Sequence, residues 1–136
     1  MKMILPQRSP RTQRESQDPL TASIIASAIE VHRILGPGLL ESIYEEALCH
    51  ELSLRSISFE RQKEIDVIYK GKVIKGQRLD LVIDSQDVAE IKAVKTLNDA
   101  FSSQVLSYLK STGLKRALLI NFSAQKLVSG LKRFSL

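Results

Sequence analysis

Apolar residues recur at helical spacing near the start of the chain, in LTASIIASAIEVHRIL. Ile24, Ile25, Ala28, Ile29, His32 and Leu35 fall on one stripe, and Thr21 can cap the helix. Gly36-Pro37-Gly38 then supplies a residue that tolerates positive φ and one that cannot continue a helix. The spacing predicts a second helix in LLESIYEEALCHELSLRS, with Leu40, Ile43, Tyr44, Ala47, Leu48 and Leu52 as its apolar face. The period then changes to two. Residues 64–69 read as a strand, Lys70-Gly71 as a turn, 73–74 as a short strand and Lys75-Gly76 as another turn. Residues 78–83 and 88–94 read as a hairpin. Asn98 or Asp99 caps a third helix that runs to about Thr112 and ends at Gly113. RALLINF is a continuous apolar run, expected as a buried strand, and residues 126–136 are expected to add a short helix and an edge strand. The expected order is α-α-β-β-β-β-α-β, an α/β fold with a mixed β-sheet flanked by helices.

The hairpin at 78–94 breaks its own pattern. Asp80 lies between Leu79 and Leu81, and Glu90 and Lys92 lie within an apolar strand. Burying ions is costly unless they are paired or bind a metal. Glu90 and Lys92 point to one face and can neutralise each other, as E-x-K triplets do on exposed strands. Their mid-strand position weighs against that reading. Asp80 shares a face with Glu90 only if paired residue numbers sum to 170. That requires an odd loop of three or five residues, or a bulge; a four-residue loop separates the two carboxylates. If they converge, two carboxylates and an amine suit Mg²⁺, which takes one or two carboxylates and leaves its other positions to water and phosphate.

Composition narrows the setting. A chain of 136 residues is expected to hold one domain, and 43% hydrophobic with 26% charged residues is ordinary for a globular protein. No apolar run approaches the length of a membrane span, so no membrane partner and a cytoplasmic location are expected. One cysteine excludes an internal disulfide; with two histidines it is too little for an ordinary structural zinc site. Residues 1–19, with three of the four prolines and an excess of arginine, read as a disordered basic leader, and 20–136 as a single domain. The net charge is +5. Residues 101–136 carry Lys110, Lys115, Arg116, Lys126, Lys132 and Arg133 and no acid. That is a solvated basic face or a phosphate-facing one.

Asp80 followed by Glu90-Ile91-Lys92 on the next strand resembles the PD-(D/E)xK nuclease superfamily, with Leu79 where the usual proline would stand. AIEVHRILGPGLLESIYEEAL is similar to the prokaryotic GxxExxY proteins, through Gly38, Glu41 and Tyr44. Similarity continues at Gln62, Tyr69, Arg78, QVLSYLK and LLINF, over roughly residues 20–136. The resemblance implies a restriction-endonuclease-like core and metal-dependent phosphodiester hydrolysis of nucleic acid, DNA more than RNA. It implies Glu41, Asp80 and Glu90 as ligands of Mg²⁺ or Mn²⁺, with Lys92 as the catalytic lysine. Gln104 and Tyr108, four apart on one helix face, are similar to a Q-x-x-x-Y motif beside the site of phage-type exonucleases. From the residues alone, Glu41 reads better as a first-turn acid on a helix dipole, and Tyr108 equally well as a core residue with Gln104 capping a neighbouring strand end. Phe101 stands where the resemblance leads one to expect a histidine. The alternative is a catalytically inactive nuclease-like scaffold that binds nucleic acid or acts as an adaptor. In a purely structural role, the carboxylates would pair with Lys92 and Arg78.

Overall fold

The computed structural model describes residues 18–136. Most of the expected leader, residues 1–17, lies outside the described residues. Asp18 caps, and Pro19 begins, the first helix, α1 (Pro19–Leu35). The Asp18 carboxylate, rather than Thr21, caps it by accepting from the Leu20 and Thr21 amides, and Pro19 fills a first-turn position where no amide is needed. Gly36, at φ +68, ends the helix. Next come α2 (Glu41–Leu54), β1 (Phe59–Tyr69), β2 (Lys72–Ile83), β3 (Asp87–Lys92), α3 (Asp99–Thr112) and β4 (Arg116–Asn121). A 3₁₀ turn (Leu127–Gly130) leads into the edge strand β5 (Leu131–Ser135). Asn98 caps α3 and Gly113, in the left-handed region, closes it.

The five strands form one mixed sheet in the order β1-β2-β3-β4-β5, parallel only between β3 and β4. Helices α1 and α2 cover one face, where Ile24, Tyr44 and Leu48 meet Leu81, Ile91 and Phe122. Helix α3 covers the other, where Val105, Tyr108 and Leu109 meet Leu79, Val88 and Leu119. Strands β3 and β4 are therefore buried on both sides, which is why the middle of β4, residues 117–120, is apolar throughout and the charges of β3 stand out.

The α/β class with a mixed sheet holds, but three local readings change. Lys75-Gly76 is not a turn. β2 is continuous from Lys72 to Ile83, so three strands rather than four precede α3. The register steps between Ile65↔Gln77 and Val67↔Ile74, leaving one β1 residue opposite two on β2. Gly76, at φ +115, absorbs the extra residue as a bulge. β1 also starts at Phe59, earlier than expected. Finally, the helix stripes are rotated. Val31 is buried while Ile29 and Leu35 are exposed, and Leu40 and Ile43 of the second stripe face outward.

Candidate functional site

The hairpin between β2 and β3 fixes the site. Its pairs Leu81↔Ala89, Val82↔Val88 and Ile83↔Asp87 all sum to 170, with a three-residue loop. Asp84 and Ser85 both have positive φ, and the Gln86 amide donates to Ile83 O, a turn whose twist suits a hairpin. The register is thus the one a shared carboxylate site requires.

Main-chain pairing stops at Leu81↔Ala89, one residue before Asp80 and Glu90. There the carboxylates take over the ladder. The Asp80 amide donates to Glu90 Oε1 at 2.8 Å, and the Ile91 amide donates to Asp80 Oδ2 at 2.9 Å. The two carboxyl groups thus converge at the point where β2 leaves β3. Glu90 is only 3% exposed. Its pKa is pushed up to about 8, first by burial and then by the Asp80 charge and a carboxyl–carboxyl hydrogen bond. The Asp80 amide and the charge of Lys92 oppose this without overcoming it.

Asp80 is held from its other side. Gln62 of β1 donates to Asp80 Oδ1 at 3.4 Å and to Glu45 Oε1 at 3.0 Å. Gln62 has φ +51, in the left-handed region where a non-glycine residue inside a strand is strained. Glu45 is buried on α2, one turn after Glu41, and also pairs with Arg61 at 3.0 Å. Glu45 was missed in sequence and Gln62 was noted only by similarity. The one signal for Glu45 was its i, i+4 spacing from Glu41, and nothing in periodicity marked Gln62.

Lys92 lies one turn of the strand beyond Glu90, on the α3 face. Its Nζ sits 4.6 Å from the centre of the Phe101 ring, a cation–π contact. Among the described residues no ion pair joins Lys92 or Arg78 to either carboxylate; Arg78 donates instead to Gln62 O. The mutual neutralisation that a structural role requires is therefore not made. Tyr108 is buried on α3 facing this pair. Its pKa rises to about 12, mainly by burial and then by the charges of Glu90 and Asp80, while a hydrogen bond from Gln104 opposes the rise. Gln104 itself is exposed.

Glu41 opens α2 and keeps contact with solvent. Partial burial raises its pKa most; the charge of Lys92 opposes this, and those of Asp80 and Glu45 add to it. It borders the pair rather than joining it: among the described residues no three His, Cys, Asp or Glu side chains are gathered as a cation cage. The neighbouring Tyr44 is structural. Its hydroxyl donates to Gly36 O at 2.6 Å and accepts from the Leu39 amide, and its ring stacks on Phe122 at 4.7 Å. This pins the Gly36-Pro37-Gly38 turn and so the position of Glu41. His32, at 2.8 Å from Ala124 O, is a packing residue. Arg116 is committed at the opposite end of the sheet, bonded to Asp18 and to the buried Asp87.

A divalent cation fits this donor set. Two converging carboxylates, one of them buried, have among the described residues no positive partner within ion-pair distance. Two carboxylates also match the usual protein contribution to Mg²⁺. No helix among the described residues is long and apolar enough to cross a membrane. No curated protein and no solved structure matches the chain. A family model of the PD-(D/E)XK nuclease superfamily matches residues 18–134, and the chain belongs to that superfamily.

Proposed function

We propose that this protein is a metal-dependent nuclease that hydrolyses phosphodiester bonds in nucleic acid, DNA in preference to RNA. The observation that carries the reading is the split of β2 from β3 at Asp80 and Glu90. It gathers two carboxyl groups side by side and leaves the nearby Lys92 unpaired with them. Asp80 and Glu90 would hold Mg²⁺ or Mn²⁺, with Glu41 contributing from the rim. When bound, such an ion lowers the pKa of a water and neutralises charge on the attacked phosphate. Lys92 supplies an ammonium for the charge that develops on the phosphate oxygens. Phe101 orients that ammonium, and Gln62, braced by Glu45, fixes the Asp80 carboxylate. Tyr108 closes the inner wall, and Gln104 reaches from it toward solvent, where a substrate would enter. We also assign the chain to the narrower GxxExxY group, supported by Tyr44 holding the glycine turn that presents Glu41.

Cleavage of labelled DNA and RNA, with Mg²⁺ or Mn²⁺ and with chelator, tests this. We expect metal-dependent cleavage that Asp80→Asn and Lys92→Met abolish while far-UV circular dichroism is unchanged. Cleavage that persists in chelator, or variants as active as wild type, would sink the proposal. One observation favours the catalytically inactive scaffold: Phe101 stands where a histidine is expected, and the Lys92 ammonium rests on its ring. That reading predicts salt-dependent binding to nucleic acid without cleavage under any of these conditions.

A further inference from the structure

Beyond Asp80, among the described residues, β2 has no strand neighbour except β1. The two strands stay paired out to Tyr69↔Lys72 and close through Lys70 and Gly71, both at positive φ. β2 is antiparallel to β3, so this arm runs out past Glu90 and Lys92 rather than away from them. From Asp80 to Lys72 is about 26 Å at about 3.3 Å per residue, equal to about eight base pairs of duplex at 3.4 Å each.

The arm continues the face that carries the site. Ile65 packs in the α3 cluster, and Gln77 opposite it donates to Ser107 of α3. Alternation along β1 brings Val67 and Tyr69 onto that face, opposite Ile74 and Lys72. Tyr69 is 60% exposed and Ile74 42%. Residues 67–77 hold three lysines and no acid. Lys75 is bonded to Asp66, while among the described residues no carboxylate pairs with Lys70 or Lys72. Lys70 lies over the Tyr69 ring at 5.5 Å. An aromatic flanked by two unpaired ammonium groups suits a polyanion. Pairing with a second copy along this edge is what edge lysines oppose.

We propose that the β1–β2 arm is a second nucleic-acid contact, laid along a duplex about eight base pairs from the phosphodiester at Asp80 and Glu90. Lys70 and Lys72 contact phosphates and Tyr69 packs against the groove edge. The proposal rests on the nuclease reading.

Anisotropy of a fluorescein-labelled DNA duplex, with the full chain, tests it in chelator and again with Mg²⁺. A duplex of about 24 base pairs spans three arm lengths, and one of about 6 is shorter than the reach. On the long duplex, the K70A/K72A double variant should show a salt slope shallower by about 1.8, so that wild type loses ~12-fold more affinity than the variant between about 50 and 200 mM salt. Tyr69→Ala should weaken binding without changing the slope, and the short duplex should not distinguish wild type from either variant. If the double variant keeps wild-type slope and affinity while wild type still cleaves, the arm proposal is overturned and the nuclease reading stands. If wild type neither binds nor cleaves nucleic acid in either condition, both fall. If the arm variants instead change the oligomeric state in sedimentation velocity, the arm joins copies of the chain and the proposal is wrong.

Discussion

Glu90→Gln is the most informative single change. Glutamine imitates the protonated acid: its Oε1 can still accept from the Asp80 amide, and its Nε2 can donate to the neighbouring Asp80 carboxylate. The folded protein holds the Glu90 proton up to about pH 8, against an ordinary value of 4.5. Below about 4.5 the folded and unfolded chains are alike at this group. Between there and about 8 the unfolded chain releases the proton and the fold keeps it, so stability falls as pH rises. The full difference corresponds to about 5 kcal/mol at 1.36 kcal/mol per tenfold. Because β2 and β3 already part here, local opening can admit water and spare some of that cost, so about 5 kcal/mol is the upper bound. That is a large share of the roughly 5–15 kcal/mol that holds a domain folded. In chelator, urea unfolding followed by far-UV circular dichroism should show wild type losing stability from about pH 5 to pH 8 relative to the variant, which should be the more stable of the two at pH 8. Taking the difference cancels other groups, including Asp87, whose pKa burial raises in the same direction. Saturating Mg²⁺ should restore wild type by about 2.7 kcal/mol at a hundredfold excess over Kd, and leave the variant unmoved. Parallel pH profiles, or a variant less stable than wild type at pH 8, would refute the reasoning.

Tyr44→Phe removes the hydroxyl that bonds Gly36 O and the Leu39 amide; a loss of about 1–2 kcal/mol in urea unfolding is expected, and a neutral change would show that the turn holds itself. Gly130→Ala places a Cβ 2.4 Å from Asn121 O, a backbone atom that cannot swing aside; it should cost about 1–3 kcal/mol in thermal unfolding, and wild-type stability would contradict the packing. Phe101→Leu keeps the apolar contact but removes the ring under Lys92. It should slow cleavage by up to about fivefold, the equivalent of a cation–π contact of about 0.5–1 kcal/mol, with duplex affinity unchanged; an unaltered rate in a folded variant would deny Phe101 a positioning role.

Much of the fold was legible because its signals are local. Asn98 and Gly113 bound α3 by cap chemistry, Gly36 stops α1, and the unbroken apolar run of β4 announces a strand covered on both faces. Asp80 and Glu90 stood out because charge interrupted an apolar pattern, and strand alternation dictated the register they would need. What remained hidden depends on partners distant in sequence. Lys75-Gly76 reads as a turn because a glycine at positive φ serves a turn and a bulge alike; only the pairing of β1 with β2 chooses between them. The rotation of the α1 and α2 faces, which exposes Ile29 and Leu40 and buries Val31 and Glu45, was set by the sheet they pack on. Arg116, part of a basic stretch that reads in sequence as either a solvated or a phosphate-facing face, is held by Asp18 and Asp87, more than 25 residues distant. On its own, the sequence singled out Asp80, Glu90 and Lys92 as charges inside apolar strands, since residue type and period are local properties. Tertiary structure alone decided that the strands part at Asp80, that Gln62 and Glu45 brace it, and that Lys92 rests on Phe101, because each is a contact between elements the chain brings together only on folding.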